Sequence, residues 1–169
     1  MNNDNENAFD DLLAANREFA SDFRYGGFDG IAKAGIAIVT CMDSRIDPLG
    51  MLGLQPGDAK IFRNPGGRVT EAALEAIVLG AHLLNVQRVL VVPHTRCAVA
   101  SNSEEDIADR VSESAGTDAS WHRFHVVEDQ KRTLEMDVRR VRSHPLIPER
   151  LQVGGFVYDV DSGLLDRVV

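Results

Sequence analysis

Apolar positions along this chain change their period several times, and each change marks an element. Over residues 5–20, Phe9, Leu12, Leu13 and Phe19 recur at helical spacing and predict an amphipathic helix. Residues 35–40, GIAIVT, are a short apolar run rich in β-branched side chains, the pattern of a buried strand, and the run ends at Cys41. A helical turn is expected within residues 46–54, followed by the turn signal Gln55-Pro56-Gly57-Asp58. A brief second strand over 59–62 leads into Arg63-Asn64-Pro65-Gly66-Gly67. Thr70 is a plausible N-cap, with Glu71 complementing the dipole of a helix that runs to about residue 84. That helix, EAALEAIVLGAHLL, is apolar nearly all round and should be well buried. A third strand, RVLVV over 88–92, ends one proline before His94.

Ser103-Glu104-Glu105-Asp106 resembles another helix start. Within 127–143, Leu134, Val138 and Val141 stand at helical spacing; Arg139, Arg140 and Arg142 occupy the last turns and Pro145 stops the helix. Residues 155–160 and 164–168 flank Asp161-Ser162-Gly163 as strand, turn and strand. Strands separated by helices predict an α/β fold: a mainly parallel central β-sheet flanked by helices, with an antiparallel C-terminal edge. No repeat, low-complexity tract or linker divides the sequence, so residues 1–169 are expected to form one domain able to bury a core without disulfides.

Composition leaves this picture unchanged, since 44% hydrophobic and 26% charged residues describe an ordinary globular protein. Charge narrows it. A formal net charge of -8 argues against nucleic acid or an anionic membrane as partner, because both reward a basic surface. The start, MNNDNENAFDD, has neither the basic nor the apolar region of a secretion signal. No apolar run approaches the roughly 20 residues of a membrane span, so the expected location is the cytoplasm. There, the two cysteines of the chain should be free thiols or metal ligands rather than a disulfide.

In an open parallel sheet, sites lie beyond the carboxyl ends of the strands. The first strand delivers Cys41-Met42-Asp43-Ser44-Arg45 to that edge, and the third delivers His94-Thr95-Arg96-Cys97. Two cysteines and a histidine make a catalytic zinc set that leaves a fourth tetrahedral position open. His82, His122, His125 and His144 lie outside these loops, so no further donor closes the site. Asp43 can accept a hydrogen bond from a zinc-bound water, and Arg45 can orient Asp43. The same aspartate could swing in as a fourth ligand and close the site; an ordinary loop salt bridge is the plainer alternative. The two cysteines could also form a redox pair.

CMDSR, RNPGG and HTRC, in this order and at these separations, resemble the β-class carbonic anhydrases, and the short length resembles their compact bacterial members. Most of the chain fits, from the first helix to the last strands. The resemblance implies a β-carbonic anhydrase-like fold, a Zn2+ cofactor held by Cys41, His94 and Cys97, and Asp43 with Arg45 as catalytic dyad. It implies reversible hydration of carbon dioxide to bicarbonate by attack of zinc-bound hydroxide. It also implies a homodimer or dimer-based tetramer, with the N-terminal helix packed on a partner subunit. Two thiolates neutralise the formal charge of zinc, so such a site should acidify water less than one built on three imidazoles and work better at alkaline pH. Alternatives on the same site are hydrolysis of carbonyl sulfide or carbon disulfide, or a non-catalytic zinc protein.

Two residues depart from the His-x-Asp-Cys-Gly pattern common in the family. Arg96 replaces the acidic residue and Ala98 the glycine. Arg96 either faces solvent or acts on the thiolates or on bicarbonate. Ala98 gives up the positive-φ freedom of glycine and adds a methyl near the metal. Arg63 and Asn64 are candidates for shaping the pocket, and Gly66 and Gly67 either make the turn or let backbone approach the site. Met42, Leu52 and Val69 are available as pocket walls, with core packing the simpler expectation for each.

Overall fold

A computed structural model of the chain describes residues 8–169. The elements are α1 (Asp10–Ser21), β1 (Ile36–Cys41), β2 (Ala59–Asn64), α2 (Glu71–Leu83), β3 (Arg88–Val92), α3 (Glu104–Ala115), α4 (Gln130–Arg142), β4 (Gln152–Tyr158) and β5 (Leu165–Arg167). The predicted start of the first helix, at residues 5–7, lies outside the described residues; from Asp10 onward the helix forms where expected.

The strands make one five-stranded sheet in the order β2-β1-β3-β4-β5. β2, β1, β3 and β4 are parallel, and β5 pairs antiparallel with β4 through Phe156↔Arg167 and Tyr158↔Leu165. This is the mixed α/β architecture expected from the sequence. β1 is central and buried at every residue, as its uninterrupted apolar run requires. On one sheet face, Ala37, Val39, Val89, Val91 and Val153 pack with Ala73, Leu74 and Ile77 of α2 and Leu134, Val138 and Val141 of α4. On the other, Ile36, Ile38 and Val92 lie under Met51, Leu52 and Leu54 from the segment that joins β1 to β2.

Local capping agrees with the sequence. The Thr70 hydroxyl accepts the Ala73 N–H at the start of α2, and Ser103 and Asp106 close a reciprocal capping box on α3. α2 differs from expectation in burial. Ala73, Leu74, Ile77, Gly80 and Ala81 face the sheet, whereas Leu79 and Leu83 are exposed. A single sheet covers only one side of a helix, so apolar residues all round it outnumber the sites available within one chain.

Candidate metal centre

β1 and β3 run side by side in parallel with Thr40 opposite Val92, so both chains leave the sheet at the same edge. The Thr40 hydroxyl donates to the Val92 carbonyl at 2.7 Å, tying the two ends together. Cys41 is the last residue of β1; His94 follows Pro93 and continues the pairing of β3 through a bridge to Tyr158. Thr95 N–H donates to the Tyr158 carbonyl, and Gln130 of α4 donates to the His94 carbonyl at 2.9 Å.

This framework brings Cys41, His94 and Cys97 together, all buried, with their ligand atoms within 4.8 Å of one another. The sulfurs are 4.0 Å apart, close to the edge of about 3.8 Å in a tetrahedron with metal–sulfur bonds of about 2.3 Å. His94 Nδ1 lies 2.8 Å from the Thr95 carbonyl. Donation of that N–H to the carbonyl leaves the Nε2 lone pair aimed at the sulfurs. Nε2 is buried and has no hydrogen-bond partner among the described residues. A polar atom in that state is costly unless something binds it. Two sulfurs and an imidazole nitrogen fit a borderline-soft metal ion.

The thiols behave as one unit. Hydrogen bonding from the Cys97 thiol brings Cys41 down to about 4 against the opposing effect of burial. The same contact pushes Cys97 up. Gly66 N–H donates to Cys41 Sγ at 3.3 Å, a further support for a thiolate. Gly66 and Gly67 both have positive φ, and a Cβ on Gly67 would stand 3.0 Å from Cys41 N and 3.1 Å from Val92 O. The turn and the close approach are therefore both real requirements of the RNPGG segment.

Asp43 sits beside the cluster, with Oδ2 3.7 Å from His94 Nε2. Arg45 grips it with two prongs, Nε to Oδ1 at 2.9 Å and Nη2 to Oδ2 at 2.7 Å, and its backbone N–H adds a third bond. Those bonds hold the Asp43 carboxyl well below the usual carboxylate range, so it is ionised at neutral pH. Arg63 donates to the backbone carbonyls of Cys41 and Asp43, and Asn64 braces its turn through Arg68. Arg63 and Asn64 thus support the site's backbone.

Two expectations are corrected, at Met42 and Ala98. Met42 is 65% exposed and so is not core: it lies one residue beyond the end of β1, where the chain leaves the sheet. Val69 is buried and Leu52 half-buried, both in packing. Ala98 is exposed, opening a short 3-10 turn, Ala98–Ala100, without positive φ; the left-handed residue is Arg96, at φ 55°. The Arg96 guanidinium engages Asp161 rather than a sulfur. Sequence reasoning missed the buried Asp137, which accepts from Arg68 and from Val69 N–H and so anchors the RNPGG segment to α4. Its signal was present: a carboxylate at the spacing of Leu134 and Val141, on the apolar face of its helix.

An open, mainly parallel α/β sheet that gathers Cys41, His94 and Cys97 at its strand ends presents a cluster that could hold a metal ion. The family model for carbonic anhydrase matches residues 36–165. Beta-carbonic anhydrase 1 of Mycobacterium tuberculosis is 32% identical over 162 residues, covering 94% of this chain and 96% of its own. The crystal structure of carbonic anhydrase from Streptococcus mutans superposes with a TM-score of 0.85 at 32% identity, covering 95% of this chain and 97% of that one. A carbon disulfide hydrolase from Acidianus is 31% identical over 154 residues, covering 77% of this chain and 75% of its own. The chain belongs to the β-carbonic anhydrase family and is an enzyme of that class.

Proposed function

We propose that the protein is a zinc enzyme that reversibly hydrates carbon dioxide to bicarbonate and a proton, with Cys41, His94 and Cys97 as ligands and Asp43 and Arg45 as the catalytic dyad. The observation that carries this reading is the buried, unpartnered His94 Nε2 facing two sulfurs, with an ionised aspartate 3.7 Å away. Zinc held by Cys41, His94 and Cys97 would supply a Lewis acid able to activate water.

The side chains supply the rest. Thr95 and Gln130 hold His94 in the tautomer and orientation that present Nε2. Gly66 N–H stabilises charge on Cys41. Asp43, an acceptor because Arg45 keeps it ionised, takes a hydrogen bond from the reacting water and turns that oxygen's lone pair toward carbon dioxide. The Arg45 grip holds Asp43 in its present orientation; released, the carboxylate, 3.7 Å from His94 Nε2, would be available as a fourth ligand that closes the site. The name of the Acidianus relative favours a second reading, hydrolysis of carbon disulfide by the same residues.

Stopped-flow hydration of carbon dioxide by zinc-loaded protein, against Cys41→Ser, tests the proposal. Wild type should exceed the variant strongly and gain rate from neutral to alkaline pH. A wild type no faster than Cys41→Ser refutes it, and sulfide release from carbon disulfide would then support the second reading.

We further propose a homodimer, or a tetramer built from dimers, in which α1 packs on the partner subunit. Its support is that α1 buries no residue of its own. No helix among the described residues is long and apolar enough to cross a membrane. Two free thiols fit the cytoplasm as the protein's location.

A further inference from the structure

We propose that Arg96 is a positioning residue: by occupying the Asp161 carboxylate, which would otherwise compete for Arg45, it leaves Arg45 free to hold Asp43. The inference rests on the metal-site reading above and on four contacts. Arg96 Nη2 meets Asp161 Oδ1 at 2.5 Å, linking the ligand-bearing loop to the turn between β4 and β5. Arg45 Nη2, the nitrogen that binds Asp43 Oδ2, also lies 3.3 Å from the Arg96 carbonyl. Arg45 and Asp161 therefore touch two ends of one residue, and the Asp161 charge already acts on Arg45. Thr95 Oγ1 accepts the Val160 N–H at 3.1 Å, which keeps the turn against the loop whether or not Arg96 is present.

Two cations and two carboxylates are thus arranged so that each has one partner. Asp159 is engaged elsewhere, accepting the Asp161 and Ser162 N–H groups inside the turn. Arg63 is committed to backbone carbonyls. Loss of the Arg96 charge leaves the Asp161 carboxylate, whose charge already acts on Arg45, without its own cation and in competition with Asp43 for Arg45. Arg45 then divides between two carboxylates, its two-pronged grip weakens, and Asp43 is freed toward the donor cluster. An arginine at a left-handed backbone position is an uncommon choice there, and the pairing with Asp161 gives that choice a role.

The test is a double-mutant cycle of Arg96→Gln, Asp161→Asn and the two combined, read by zinc retention against a chelator and by the visible spectrum of cobalt-substituted protein. Carbon dioxide turnover is measured alongside. Arg96→Gln should lower kcat/KM by about tenfold, the scale typical of partners that orient metal-site residues. It should also slow zinc release and alter the cobalt spectrum, because Asp43 adds a donor. Asp161→Asn should stay within about twofold of wild type, and the combined variant should return to within about threefold, since removing the competitor removes the defect. Arg96→Lys, which keeps the charge, should retain the wild-type spectrum.

A loop that merely needs a clasp behaves otherwise: all three variants would lose zinc faster and to similar degrees. Rescue of Arg96→Gln by the second substitution, in fold as in zinc retention, supports the inference, and absence of rescue overturns it. Zinc retention and the cobalt spectrum require no turnover, so they decide this question even if carbon dioxide hydration fails.

Discussion

α1 and α4 are amphipathic helices of 12 and 13 residues with apolar positions at similar spacing, yet they end in opposite circumstances. α4 buries Leu134, Asp137, Val138 and Val141 against the sheet, and the Asp129 side chain caps it by accepting from Arg132 N–H. α1 buries nothing. Phe9, Leu12, Leu13 and Phe19 are all at least half exposed, at 68%, 61%, 50% and 61%. Among the described residues no side-chain cap starts α1, although Asp10 and Asp11 suit its dipole. A helix of this length is marginal in isolation, so most of its stability must come from a surface it packs on. Beyond it, Phe19, Phe23, Tyr25 and Phe28 form a ladder of ring contacts that returns to the body of the protein. The pattern of a helix states that a face is to be covered, and the fold decides by what.

The largest expected effect separates the two helices by stability. Leu134→Ala in α4 removes a side chain packed against Gly155 and the sheet and should cost about 2–5 kcal/mol in urea denaturation. A loss as small as that of an exposed leucine would mean α4 is not the structural helix it looks to be. For α1 the expected change is in assembly. Leu12→Ser combined with Phe19→Ser should leave monomer stability within about 0.5 kcal/mol but reduce the sedimenting mass to that of a single chain. An oligomer that survives both substitutions would remove α1 from the interface.

The smallest effect concerns what delivers α4 to the sheet. Glu104, at the start of α3, accepts the N–H groups of Phe124 and Val126 at 2.9 and 3.1 Å. Val127 N–H then donates to Val99, beside the ligand loop. Those backbone bonds lower the Glu104 pKa in the folded protein. A folded value below the unfolded one means the stabilisation is complete above the unfolded glutamate value of about 4.3 and fades as pH falls through the folded value. The melting temperature of wild type should therefore exceed that of Glu104→Gln modestly at neutral pH, with the gap closing below about pH 4. A gap independent of pH would detach this carboxylate from the path to α4.

Much of the molecule was legible because the signals are local. The β-branched runs of β1 and β3, the Thr70 and Ser103 caps and the helical spacing in α4 act over a few residues and form where expected. The nearness of Cys41, His94 and Cys97 was legible for a different reason: each stands at or just past the end of a strand that could be read. Burial was less so. The apolar circumference of α2 gave no indication that Leu79 and Leu83 would face outward, and nothing local showed that Met42, just past the end of β1, would be exposed. Asp137 stood on the apolar face of α4, but its partner, Arg68, is 69 positions away in the chain.

The sequence by itself determined the order and type of the elements and which side chains could serve as metal donors, because propensity, capping and donor identity belong to residues and their near neighbours. Only the tertiary structure decided that the two sulfurs stand 4.0 Å apart, that α4 is covered and α1 is not, and that Arg96 takes a left-handed backbone to reach Asp161. Each depends on partners far away in the chain, whose positions the sheet sets and no local pattern encodes.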